Sequence, residues 1–99
     1  MPLNSCIKDW QGRRVWVIGA SSGIGKAFAE AVLKSGARVA LSARDSAALE
    51  KIASQFLPEQ SLVLPVDVTD HDDVERAFSR LRQAWSSIDL VVLLAGTHL

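Results

Sequence analysis

Gly19-Ala20-Ser21-Ser22-Gly23-Ile24-Gly25 is the run of this chain best suited to chemistry. It follows the apolar stretch Val15-Trp16-Val17-Ile18 and opens a helical pattern at Lys26-Ala27-Phe28-Ala29. A strand, a glycine-rich turn and a helix start are the parts of a dinucleotide phosphate cradle. Gly19 lets the chain turn sharply out of the strand. Gly23 lets backbone approach a pyrophosphate, and Gly25 lets the helix pack close to the sheet. Free N–H groups at the helix start, with the positive end of its dipole, then face the anion. Ser21 and Ser22 can add hydroxyl donors. The competing reading is an ordinary strand-to-helix turn, and the surrounding pattern argues against it.

That pattern is a repeating strand–helix series. Val39-Ala40-Leu41-Ser42 reads as a second strand, placed after Gly36, which suits a helix stop. Leu49, Ile52, Ala53 and Phe56 recur at helical spacing behind Ser46 as the expected cap, and Pro58 ends that helix. Leu62-Val63-Leu64-Pro65-Val66 reads as a third strand. Thr69-Asp70-His71-Asp72 has capping-box spacing ahead of a third helix, whose apolar face is Val74, Ala77, Phe78, Leu81, Ala84 and Trp85. Ile88-Asp89-Leu90-Val91-Val92-Leu93-Leu94 is a fourth strand, expected to be buried on both faces. Short connections and this alternation predict an α/β, Rossmann-type parallel sheet in the order 3-2-1-4 with flanking helices, stopping after the fourth strand. Residues 1–11 are expected to be a lead-in, and residues 12–99 a partial dinucleotide-binding domain.

Composition narrows the function classes. Eleven basic and eleven acidic side chains balance over 99 residues without a charge block, so neither nucleic acid nor an anionic membrane surface is indicated. Cys6 is the sole cysteine, which favours a reducing cytoplasm. Apolar runs are strand length, too short to span a bilayer, and the N-terminus has no signal-peptide pattern. His71 and His98 lack a companion at metal-ligand spacing, so no metal site is expected.

The chain resembles the short-chain dehydrogenase/reductase family from about Gly12 to Gly96. The family's Thr-Gly-x-x-x-Gly-x-Gly pattern matches Ile18 to Gly25, with Ile18 in place of the threonine. Leu41-Ser42-Ala43-Arg44 matches the end of the family's second strand, and Asp67-Val68-Thr69-Asp70 the segment beside the adenine. Leu93-Leu94-Ala95-Gly96 stands where the family usually has Asn-Asn-Ala-Gly, with Leu94 at the asparagine position. The resemblance implies that Ala95 and Gly96 line the cofactor cleft. It also implies that the Asp67 carboxylate accepts from the adenine amino group while the Val68 backbone lines the same pocket. The other reading of Asp67 is an aspartate favoured near a helix start.

The resemblance also bears on cofactor choice. NAD-preferring relatives place a carboxylate where this chain has Ala43, followed by Arg44. A guanidinium can pair bidentately with a 2′-phosphate, so NADP is expected ahead of NAD, with Ser42 adding a hydroxyl contact. Arg44 as a solvated charge or a partner of Asp45 is the alternative. Ser22 occupies a position that is basic in some NADP-dependent relatives. Family catalysis uses a serine and a Tyr-x-x-x-Lys pair, and this chain has no tyrosine, so no catalytic residue is assigned. Three readings follow: the cofactor-binding part of an NADP-dependent oxidoreductase, a non-catalytic nucleotide or interaction module, or one half of a complex completed by another chain. An apolar fourth strand at the sheet edge predicts self-association or a sheet-completing partner.

Overall fold

The computed structural model describes residues 10–21 and 23–94. Four strands form one parallel sheet: β1 (Arg14–Ile18), β2 (Arg38–Ser42), β3 (Ser61–Val63) and β4 (Leu90–Leu93), in the order β3-β2-β1-β4. Helices α1 (Gly23–Lys34), α2 (Ser46–Ala53) and α3 (His71–Ala84) alternate with them, and a 3-10 turn at Pro58–Gln60 precedes β3. This is the order expected from the sequence.

Strand alternation sorts the core into two layers. Val15 and Val17 on β1 pair in register with Val39 and Leu41 on β2. These four turn to one face, where Val32 and Leu33 of α1 and Leu49 and Ile52 of α2 cover them. Trp16 and Ile18 face the other way, against Ala77 and Leu81 of α3 and Trp85 at its end. The register partner of Trp16 is Ala40, whose small side chain leaves room for the indole. Trp10, inside the expected lead-in, is buried and meets Phe28 edge-to-face at 6.2 Å.

Several local expectations are corrected. The cap of α2 is Asp45 rather than Ser46, because the Asp45 carboxylate accepts from Ala48 N at 3.1 Å. The cap of α3 is Asp70 rather than Thr69: Asp70 accepts from Asp72 N and Asp73 N at 3.1 and 3.3 Å. In both cases a carboxylate next to the expected hydroxyl takes the orphan donors. Helix α2 stops at Ala53, before Phe56 and Pro58, where the chain tightens to i→i−3 bonds from Gln55 N to Ile52 O and from Phe56 N to Ala53 O, both 3.1 Å. Phe78 and Ala84 are exposed, so the buried face of α3 is narrower than its periodicity suggests, though it still reaches Trp85.

Strand β4 is not buried on both faces. Leu90 and Val92 pack towards α1 and α2, while Val91 and Leu93 on the opposite face are 51% and 61% exposed. Among the described residues, α3 covers the β1–β2–β3 part of that face and nothing covers β4.

Candidate dinucleotide-binding site

The turn after β1 is built from three backbone segments in close contact. Gly19 has φ +99°, in the left-handed region that a side chain disfavours. A Cβ there would run into the Leu94 carbonyl oxygen at the end of β4. A Cβ on Gly25 would run into the Gly19 carbonyl oxygen, which is why the first turn of α1 can close against the end of β1. Gly19 N and Ala20 N both donate to Ser42 O, at 2.7 and 3.1 Å, and this ties the turn to the end of β2. Those two amides are spent, so donors for an anion must come from later in the loop and from the first turn of α1.

Gly23 stands apart from the other two glycines. Its φ is +61°, and among the described residues nothing beyond its chain neighbours and its own helix backbone lies within 4 Å of where its Cβ would be. The first turn of α1 carries no acid, so the positive end of its dipole is uncompensated. Ser21 is half-buried in the turn and Ile24 is exposed beyond it. A bare backbone concavity at a helix start, with open space above it, fits a pyrophosphate. Ser22, Ala95 and Gly96 lie outside the described residues, as does His98.

Ser42 corrects a sequence expectation. It is fully buried, and its Oγ accepts from the Trp16 indole N–H at 2.8 Å. Its side chain therefore lies in the α3-side core and is not presented to a ligand. Its part in the site is the carbonyl that holds Gly19 and Ala20. Ser42→Ala would strand a buried indole donor, costing about 1–3 kcal/mol. A thermal melt should show the corresponding drop in Tm, and an unchanged Tm would contradict the assigned hydrogen bond.

Arg44 and Asp67 come together beyond the ends of β2 and β3. The β3 chain continues alongside β2 through Leu64 N to Leu41 O and Val66 N to Ala43 O, both 2.9 Å. Arg44 is exposed, and Asp45 is occupied in capping α2. Asp67 Oδ1 accepts from Thr69 Oγ1 at 2.6 Å and from Thr69 N at 3.0 Å. These two bonds hold the Asp67 carboxyl below the usual carboxylate range; burial opposes them slightly and the Arg44 charge adds to them. The sign follows: Asp67 contributes stability above the ordinary carboxylate pKa, and loses it as pH falls through the lowered value. Val68 beside it is half exposed.

Sequence reading missed the contacts that involve partners distant in the chain. These are Leu94 against Gly19, Ser42 against Trp16, and the Asp73 carboxylate, which accepts from Asp67 N at 2.7 Å. The strand order could have signalled the first two, since residues 16 and 42 lie on one face of adjacent strands. His71 pairs with Glu75 at 3.3 Å on the exposed side of α3. No cluster of potential metal ligands occurs among the described residues, and no helix among them is long and apolar enough to cross a membrane.

The fold and the turn together define a Rossmann-type domain. The chain belongs to the short chain dehydrogenase family, whose model matches residues 13–99. It is 38% identical over 103 residues to dehydrogenase/reductase SDR family member 7 of Mus musculus, covering 89% of this chain and 30% of the relative. L-sorbose reductase from Gluconobacter frateurii, solved with NADPH and L-sorbose, superposes with a TM-score of 0.78 at 32% identity, covering 88% of this chain and 34% of the reductase. The 3-ketoacyl-(acyl-carrier-protein) reductase from Brucella melitensis, solved with NADH, gives 0.76 at 27% identity, covering 82% and 33%. The chain thus spans about a third of the length of these proteins. Ile18 and Leu94, the two departures from the family pattern, are joined by Leu94 N donating to Ile18 O at 2.8 Å. Their side chains turn to opposite faces, Leu94 towards the α1 and α2 layer and Ile18 towards α3, so the two meet through backbone alone.

Proposed function

We propose that this chain is the NADP(H)-binding segment of a short-chain dehydrogenase/reductase-type oxidoreductase. The observation that carries the reading is the pairing of the open Gly23 concavity with an exposed Arg44 at the end of β2. The bound nicotinamide would supply a hydride acceptor or donor for a carbonyl/alcohol substrate. The chain's own residues bind and orient. The first turn of α1, with Gly23, Ile24 and the Ser21 and Ser22 hydroxyls, takes the pyrophosphate; Gly19 and Gly25 shape the turn. Arg44 takes the 2′-phosphate, Asp67 and Val68 the adenine, and Ala95 and Gly96 the cleft beyond β4. The domain so defined is residues 12–99, with residues 1–11 leading in.

These 99 residues contain no tyrosine, so the proton transfer that accompanies hydride transfer is assigned to none of them. A non-catalytic nucleotide module, or one half of a complex completed by another chain, is the second reading, favoured by the apolar Ile18 and Leu94 at the family's polar positions. The uncovered Val91 and Leu93 suit self-association or a partner that extends the sheet. A lone cysteine suits a reducing cytoplasm. Titration with NADPH and NADH, followed by an NADPH oxidation assay, tests the reading. Saturable binding without turnover by the chain alone supports it; turnover would contradict the absence of a catalytic group.

A further inference from the structure

Arg44 and Asp67 are the first residues past the last hydrogen bond between the β2 and β3 chains, which runs from Val66 N to Ala43 O. Asp67 is fixed there from several directions. Its N–H donates to Asp73 Oδ2 at 2.7 Å, and its carbonyl accepts from Asp70 N at 2.9 Å. Asp73 is itself steadied by Arg76 at 3.1 Å. Thr69 then takes one carboxylate oxygen, Oδ1, with both its hydroxyl and its amide. The other oxygen, Oδ2, has no hydrogen bond among the described residues, and the Arg44 charge favours the ionised carboxylate as a whole.

We propose that Thr69 is a positioning residue for the dinucleotide site: it occupies Asp67 Oδ1 and so presents Oδ2 as a single fixed acceptor for the exocyclic amino group of the cofactor's adenine. The proposal rests on the NADP(H)-binding reading above. An ionised carboxylate only accepts. It pairs with an amino group at C6 and repels the C6 carbonyl of hypoxanthine, so the site reads the base as adenine. Without the Thr69 hydroxyl, the carboxylate gains rotational freedom beside a guanidinium that attracts it. Pairing of Asp67 with Arg44 would then withdraw both groups from the cofactor. Arg44, at the end of β2, is the charged group that acts on the Asp67 carboxylate among the described residues. The Asp73 carboxylate is taken by the Asp67 backbone N–H, and that of Asp70 by the α3 cap.

The test is titration of the full chain with NADPH and with its hypoxanthine counterpart, reduced nicotinamide hypoxanthine dinucleotide phosphate. The unmutated chain should favour the adenine cofactor by roughly tenfold or more, the range of a hydrogen bond to a charged group. Thr69→Val and Thr69→Ala should lose most of that preference, and Thr69→Ser, which restores the hydroxyl, should regain it. A merely structural role for Thr69 would lower both affinities together and leave their ratio alone. Circular dichroism on each variant identifies any loss of fold, and Thr69→Ala keeps the test open if the valine disrupts the loop. An unchanged ratio in either folded variant overturns the proposal. So does an unmutated chain that binds both cofactors equally, although the cofactor reading would survive. Binding of neither cofactor by the folded, unmutated chain overturns that reading as well.

Discussion

NADPH should bind this chain at least roughly tenfold more tightly than NADH, and Arg44→Ala should erase most of that difference. The expectation comes from what surrounds the end of β2. Ala43 offers no carboxylate to accept from a ribose 2′-hydroxyl. Asp45, the nearest acid in sequence, is turned into the N-terminus of α2, where it accepts from Ala48 N. Arg44 is exposed, and its charge favours the ionised form of Asp67. A hydrogen bond to a charged group contributes about 1.5–3 kcal/mol, and exposure places the expected effect towards the lower end. NADH affinity should barely respond to the substitution, because NADH carries no 2′-phosphate. Equal affinities for the two cofactors in the unmutated chain would refute the assignment of Arg44.

The second large effect separates two glycines only two positions apart. Gly25→Ala should disable the domain, since the added methyl would meet the Gly19 carbonyl, which belongs to rigid backbone. Overpacking of this kind costs about 1–3 kcal/mol or more, enough for a clear fall in Tm and weaker nucleotide binding as the turn deforms. Gly23→Ala should behave differently. The methyl would stand in open space, so the structural penalty is confined to holding an L-residue at φ +61°, about 1–2 kcal/mol. The domain should stay folded and yet lose affinity, because the methyl fills space that a pyrophosphate needs. Thermal melts and NADPH titrations on both variants separate the outcomes. A folded Gly23→Ala chain with undiminished affinity would reduce the glycine run to a structural turn.

The fold was legible because its signals are local and repeated. Each strand carries its own apolar run, each helix its own spacing, and strand order follows from short crossovers and the position of the turn. The turn after β1 was legible for the same reason: strand end, glycines and helix start are contiguous in sequence. Capping was read one residue off at both α2 and α3, where a hydroxyl adjoins an aspartate and either could serve. The carboxylate won, and at α3 the displaced Thr69 found Asp67 instead. Ser42 was misread because its side-chain direction depends on strand phase: one step along β2 separates a core position from the cleft, and the Trp16 indole that holds it is distant in sequence.

The central claim, that nucleotide binds across the carboxyl ends of β1, β2 and β3, is most directly tested by following backbone amide resonances of the isotopically labelled chain during titration with NADPH. The account predicts saturable shifts concentrated at residues 19–25, at Arg44 and from Asp67 to Thr69, with those at the opposite end of the sheet, around Arg14, Gly36 and Arg38, unmoved. A folded chain whose resonances do not respond, or respond only at that opposite end, would contradict it.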